Sequence, residues 1–187
     1  MAYIYGTEEW ERAFSDLMQD MREAESEPYI LGTPSWICRY QELIRGDETY
    51  RQLAKDWEGS VVIHILAEPE VGLDEDMYLL IDLWHGECRS VRLVPQDRGE
   101  EGDYVLTASY GRWKDVMTGN LDTTKGLMQG KIKLKGDLTT IVRYSKAATR
   151  LAELVGMVDT IFLDEMSPEE LEALRPWIEF LREEFGL

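Results

Sequence analysis

The sequence predicts an α+β fold: a single layer of about five mostly antiparallel strands covered by helices, with extra N-terminal helices and a C-terminal helix. Three observations carry this. Apolar residues recur at three- and four-residue spacing over residues 8–57 and 167–187, the period of amphipathic helices. Between them, residues 61–109 hold short runs rich in β-branched and aromatic residues, separated by turn residues. Residues 130–137, Gly-Lys-Ile-Lys-Leu-Lys-Gly-Asp, then alternate apolar Ile132 and Leu134 with Lys131, Lys133 and Lys135, a strand with one apolar face and one cationic face.

The first helix begins after Thr7, whose hydroxyl can cap it, with Glu8 and Glu9 in the first turn where they favour the macrodipole. Trp10, Ala13, Phe14, Leu17, Met18 and Met21 form its apolar stripe, and Pro28 stops it. Pro34 opens a second helical zone with Trp36, Ile37, Tyr40, Leu43 and Ile44 on one face; Gly46-Asp47 breaks it. Asp47 then caps a third helix bearing Tyr50, Leu53, Ala54 and Trp57.

The first strand is expected over 61–66, dense enough in Val and Ile for both faces to be covered. Residues 69–76 read as a loop, 77–84 as a second strand, His85-Gly86-Glu87 as a hairpin turn and 88–94 as the strand pairing back. A polar loop over 95–103 leads to a fourth strand over 104–109, a short helix over 111–118, an amphipathic turn over 122–129 and the fifth strand over 131–135. Asp137 caps one long helix in which Ile141, Ser145, Ala148, Ala152 and Val155 keep helical spacing, widened by Leu138, Val142 and Leu151, with Gly156 near its end. The last helix starts with a capping box, Ser167-Pro168-Glu169-Glu170, and Leu171, Leu174, Ile178, Leu181 and Phe185 form its apolar face. Three strands in a meander, a fourth, and a fifth reached through helices make the α+β assignment.

A chain of 187 residues, 44% hydrophobic, is long enough for one well-packed domain and short for two. Residues 1–187 are therefore read as a single domain, with 1–56 a helical extension packed on it, 57–162 the core and 167–187 a terminal helix. A net charge of −17 argues against nucleic acid, whose phosphates would repel the chain, and against unspecific adhesion to anionic membranes. The charge is segregated. Residues 125–150 contain seven Lys or Arg and one acid, a local balance of +6 against −23 elsewhere. That basic stretch either meets an anionic group or is a solvated face balanced by neighbouring acids. Two cysteines, Cys38 and Cys88, are not a disulfide framework and suit a reducing compartment. The N-terminus lacks the basic and apolar regions of a secretory signal, no stretch has the length of a membrane span, and Phe185-Gly186-Leu187 is not a peroxisomal ending. The expectation is a cytoplasmic, prokaryotic protein that is not an integral membrane protein.

The strand at 104–109, the segment Thr107-Ala108-Ser109-Tyr110-Gly111-Arg112-Trp113, the turn Val116-Met117-Thr118-Gly119-Asn120 and the Gly130–Asp137 strand follow one another in an order that resembles the sterol-carrier-protein-2 family of lipid-binding domains. In that family a similar G-K-I-K-(apolar)-K-G-D strand follows a short helix ending in an apolar-Thr-Gly-polar turn. The resemblance is sharpest over 104–137 and extends through element order to 57–162. It implies a sheet with helices on one side, an apolar tunnel between them, and a lipid or fatty acyl ligand; members bind fatty acids, acyl-CoA, sterols or phospholipids. It implies no cofactor and no universal catalytic residues. The segments that line the tunnel in the family carry Met117, Leu121, Leu127, Met128, Leu138, Leu151, Val155, Val158, Ile161 and Phe162 here. Core packing accounts for the same residues without a ligand. Lys131, Lys133 or Arg143 could hold an acidic head group at the mouth, although alternation puts the lysines opposite Ile132 and Leu134.

Catalytic chemistry has thin support. His85-x-x-Cys88 has a ligand-like spacing but sits where a tight hairpin belongs, and His64 in an apolar strand reads as a hydrogen-bonded core residue, so no metal site is assigned. No nucleophile–base pair and no phosphate-cradling glycine loop stand out. The leading reading is a lipid-binding or lipid-transfer protein. The alternative is a non-catalytic interaction module or accessory subunit of a lipid or acyl-CoA enzyme, with a homodimer or enzyme partner met through the terminal helices and Trp10, Trp36 and Trp177 as anchors.

Overall fold

The strand and helix periods resolve into sixteen elements in the computed structural model, which describes residues 2–187. In chain order they are α1 (Glu8–Ala24), β1 (Tyr29–Ile30), α2 (Pro34–Gly46), α3 (Glu48–Leu53), β2 (Glu58–Leu66), β3 (Met77–Trp84), β4 (Glu87–Leu93), α4 (Gln96–Glu100), β5 (Tyr104–Ser109), α5 (Tyr110–Met117), α6 (Thr123–Met128), β6 (Lys133–Lys135), α7 (Leu138–Arg143), α8 (Ser145–Val155), β7 (Thr160–Ile161) and α9 (Pro168–Phe185). They form two units, one of Arg39–Val158 and one of the described residues up to Cys38 together with Asp159–Leu187.

The first unit is built on a five-stranded sheet of order β4-β3-β2-β5-β6. β2 pairs antiparallel with β3 and parallel with β5; the other two pairings are antiparallel, so the sheet is mostly antiparallel as expected. His85 (φ 48°) and Gly86 (φ 79°) form the two-residue β3–β4 turn, and positive φ at both positions is the signature of a type I′ hairpin. The register sorts the sheet into two faces. Val61, Ile63 and Ile65 align with Ile81, Leu79 and Met77 on β3 and with Tyr104, Leu106 and Ala108 on β5. Val91, Leu93, Cys88 and Leu134 extend this apolar face to the edges. The opposite face carries Val62, Leu80 and Val105 side by side, with Ser60, His64, Tyr78, Asp82, Arg92, Thr107, Lys133 and Lys135 around them.

α4 lies on that second face, where the sequence predicted a plain loop. Glycine permits its approach: a Cβ at Gly99 would lie 2.6 Å from Tyr78 Cγ, and one at Gly102 would meet the Val62 side chain. Val62 is thereby fully buried although its face is largely polar. In the helical layer α5 packs on β2 and β5, and α3, α5, α6 and α7 pack on α8. Tyr40 of α2 donates from its hydroxyl to the Leu151 carbonyl of α8 at 3.1 Å. Trp57 stacks obliquely on Tyr104 of the sheet at 4.8 Å and meets Tyr144 edge-on at 5.0 Å. The single long helix expected after Asp137 is two helices. Tyr144 breaks it, with φ −99° and ψ 23°, and its hydroxyl donates to the Asp56 carbonyl at 2.9 Å, a tertiary bond that local spacing does not encode. Asp47 does cap α3, accepting from the Tyr50 amide at 2.6 Å, and also holds Arg150 of α8 at 2.6 and 3.1 Å.

In the other unit, Thr7 caps α1 and the Ser167–Glu170 capping box opens α9, both as the sequence predicts. Their apolar stripes meet in a cluster of Trp10, Phe14, Leu181 and Phe185. Trp10 stacks on Phe14 at 4.6 Å, and its indole N–H donates to the Phe185 carbonyl at 2.9 Å. The parallel pair β1–β7, Tyr29 with Thr160 and Ile30 with Ile161, was not expected; two-residue strands leave no readable alternation. Trp36 donates to the Thr160 hydroxyl at 2.9 Å beside it.

Gly99→Ala is expected to destabilise the protein by about 1–3 kcal/mol, the range for forcing extra volume into a packed contact, read as a lowered urea midpoint. Asp47 provides a pH test. Hydrogen bonds from Arg150 and the Tyr50 amide hold its carboxyl below the usual carboxylate range against the opposing effect of burial. A depressed carboxyl contributes stability above its unfolded pKa of about 3.9 and loses it as pH falls through the folded value. Asp47→Asn should therefore lower stability at pH 7 and flatten the acid limb of the stability–pH curve below about pH 4. An unchanged acid limb would mean another carboxylate dominates it.

Candidate functional site

Strand alternation places one continuous apolar surface under the helices of the Arg39–Val158 unit. At one end it is closed: Leu83 is 1% exposed, Ile81 2% and Val91 3%. Ile63, in the middle of the central strand, is only half-buried, although Leu79, Leu106 and Ile65 around it on the same face are buried; Met77, Leu93 and Leu134 at the margins of the face are half-buried. On the helical side, Met117, Leu121, Leu127 and Leu151 are also half-buried, whereas Ile141, Ala147 and Leu154 are buried.

At the closed end, Tyr40, Tyr50 and Cys88 interact electrostatically, and each is almost wholly buried. Burial pushes the Cys88 thiol up to about 12, and it raises both phenols well above their ordinary range. All three are therefore neutral at pH 7. The Arg45 guanidinium donates to the Cys88 and Arg89 carbonyls from an exposed position. The sequence placed Tyr40 and Tyr50 on helical stripes and Cys88 on a strand, but nothing in their spacing shows that they converge.

The ten residues nominated as tunnel lining are dispersed. Met117, Leu121, Leu127, Leu151, Val155 and Val158 lie in the sheet-bearing unit and are half-buried or buried. Met128 (70% exposed) and Leu138 (47%) lie on its surface. Ile161 and Phe162 belong to the other unit. Lys131, Lys133 and Arg143 are exposed; Lys131 lies outside the strand, which is only Lys133–Lys135. Lys133 sits beside Thr107 on the polar face, away from the apolar one. Trp10 and Trp36 are 0% and 2% exposed, used up inside their own unit, which corrects the expectation that they anchor a partner; Trp177 is half-buried against the Trp10 cluster.

Two polar features lie apart from the apolar face. A cleft of about 580 Å³ is lined by side chains of α3, α6 and α8 and the segment before α6, among them Thr49, Asp122, Ser145, Lys146, Thr149 and Arg150, with Leu53 its one large apolar side chain. None of the ten nominated residues lines it. Arg150 there is tied to Asp47 and to Glu153 at 2.7 Å. On the polar sheet face His64 stacks on Tyr78 at 4.1 Å and bridges Asp76 (2.7 Å) and Thr107 (3.0 Å). A carboxylate only accepts, so Nε2 donates to Asp76. Asp76 also accepts from the Ala67 amide at 2.8 Å. Burial pushes the Asp76 carboxyl up, but the bonds from Ala67 and His64 together outweigh it and hold the carboxyl low. His64 thus ties the β2–β3 connection to the sheet. His85 is exposed at the hairpin, donating to the Lys55 carbonyl at 2.8 Å and facing Glu58 at 2.9 Å, while Cys88 is buried. Among the described residues no group of three or more His, Cys, Asp or Glu is placed to hold a metal ion, and no helix is long and apolar enough to cross a membrane.

Comparison with known proteins gives the fold its context. The family model described as the SCP-2 sterol transfer family matches residues 40–149. A crystal structure of sterol carrier protein 2 is 33% identical, covering 68% of this chain and 98% of its own, with a TM-score of 0.63. The solution structure of a conserved hypothetical protein from Thermus thermophilus, described as possibly a sterol carrier protein, is 32% identical, covering 73% of this chain and 94% of its own, with a TM-score of 0.64. No curated protein matches. The matched stretch is more than half of the chain and coincides with the sheet-bearing unit almost from end to end, and the chain belongs to the SCP-2 sterol transfer family.

Proposed function

We propose that this protein is a non-catalytic lipid-binding or lipid-transfer protein that takes an acyl chain or a similar apolar ligand between the sheet and its covering helices. Membership of the SCP-2 sterol transfer family supports lipid binding or transfer as the general role. The observation that supports the finer reading is the half-buried state of Ile63 at the centre of the apolar face, although its direct partners Leu79 and Leu106 are buried; Met77, Leu93 and Leu134, farther out on the same face, are also half-buried. A filled core would bury the central strand most completely; here that position keeps accessible surface while the polar-face residue next to it, Val62, is 0% exposed. Removing an alkyl chain from water would supply the driving force, about 0.8 kcal/mol per buried CH₂.

The six nominated residues that stay buried or half-buried in this unit, Met117, Leu121, Leu127, Leu151, Val155 and Val158, are proposed to contribute to the wall. Met117 and the two leucines at 121 and 127 suit a wall that adapts to ligand shape. The exposed Lys133 and Arg143 are placed for contact with an anionic surface or head group outside rather than for a buried acid.

Organic extraction of the purified protein followed by mass spectrometry, with an unrelated protein from the same host as control, is expected to recover a lipid at near one equivalent. Absence of lipid after incubation with fatty acids and acyl-CoAs would overturn the reading. Ile63→Trp separates a cavity from a packed core. With unfilled space over Ile63, the indole is accommodated: lipid loading drops and the thermal midpoint of the lipid-free protein changes little. In a filled core the same substitution overpacks and costs about 1–3 kcal/mol.

A further inference from the structure

Tyr50 is 1% exposed, yet among the described residues nothing hydrogen-bonds its hydroxyl; its polar contacts are those of its backbone, with Asp47 and Ala54. Every fully enclosed side-chain nitrogen and oxygen in the described residues has a partner. The Tyr50 oxygen is therefore not sealed in the packing but borders a small opening in an otherwise buried site. Its neighbour Tyr40 shows the contrast: buried to the same degree, its hydroxyl is satisfied by the Leu151 carbonyl. With no protein partner of its own, the hydroxyl is left to bond whatever group enters that opening.

We infer that the Tyr50 hydroxyl is a recognition point for a neutral oxygen, a hydroxyl or carbonyl, at the buried end of the ligand. The role rests on the lipid-binding reading above. The site favours a neutral group because among the described residues no charged side chain is buried with Tyr40, Tyr50 and Cys88; Arg45, which acts on Cys88, is exposed and donates to the Cys88 and Arg89 carbonyls. A carboxylate driven to this depth would lose its hydration without gaining a counter-charge. A lipid alcohol or ketone keeps one hydrogen bond there while its hydrocarbon stays against the apolar face. A fatty acid would bind with its head group outward and its methyl end inward, making no use of Tyr50.

The test compares wild type with Tyr50→Phe, which removes the hydroxyl and keeps the ring. Displacement of a bound fluorescent fatty acid is measured with hexadecan-1-ol, hexadecane and palmitate. The expected result is that Tyr50→Phe weakens hexadecan-1-ol about tenfold, leaves hexadecane and palmitate unchanged, and leaves the thermal midpoint of the lipid-free protein unchanged or raised, since the hydroxyl has no protein partner to lose. Equal affinity of the variant for hexadecan-1-ol, equal weakening of all three ligands, weakening of palmitate alongside the alcohol, or a midpoint lowered by several degrees would each overturn the assignment. If none of the three binds wild type, the lipid-binding reading itself falls. If they bind and the variant does not discriminate, only the role of Tyr50 falls.

Discussion

The register of β2 against its two neighbours is the constraint on which the sheet-bearing unit depends. Val61, Ile63 and Ile65 must all face the helices, and Ser60, Val62 and His64 must all face away. A slip of one residue would exchange the two sets and bury His64 beneath the helices, so the hydrophobic term holds the register strongly. Both neighbours are aligned by the same choice: β3 through eight paired positions and β5 through six. The other face is then free to be covered by a different device, the close approach of Gly99 and Gly102 in and after α4, which with the cross-strand neighbours Leu80 and Val105 accounts for full burial of Val62.

Helix caps and ion pairs fasten the cover to this frame. Asp47, in the break after α2, caps α3 and grips Arg150 on α8, so one carboxylate ties two helices together. Tyr144 does similar work at the α7–α8 break by reaching the Asp56 carbonyl. These anchors hold the helices in place without requiring every side chain beneath them to interlock. Half-burial of Ile63 under such a cover fits the proposed apolar ligand, and the Tyr50 hydroxyl is the polar contact inferred for it.

The charge pattern acts at a different level. The basic stretch on an acidic chain is divided by strand alternation: Lys133 and Lys135 join the polar face, and the Lys135 ammonium reaches the Glu100 carbonyl of α4. Part of the local positive charge thus closes the sheet against its own α4, and the remainder, including Arg143, stays in solvent.

Fold class, the five main strands, the hairpin at His85-Gly86 and the caps at Thr7, Asp47, Asp137 and Ser167 were legible in the sequence because each is encoded by neighbours a few residues apart: a two- or 3.6-residue period, a side chain that bonds an amide three positions on, or a positive φ. The Gly130–Asp137 motif also carried the family, since a local pattern of glycine and lysine survives in a single strand and its flanks. Other features arose only when distant segments met. The two-residue pair β1–β7, the break at Tyr144, α4 on the polar face and the burial of Trp10 and Trp36 depend on contacts across many tens of residues. The same holds for the candidate site. Alternation decides which way Ile63 points, but only the packing of the helices over it decides how far it is buried, and only the convergence of Tyr40, Tyr50 and Cys88 buries the Tyr50 ring with no hydrogen bond to its hydroxyl among the described residues. Local periodicity determines the direction of each side chain; burial and hydrogen-bond satisfaction are properties of the surroundings, and those are set by tertiary structure.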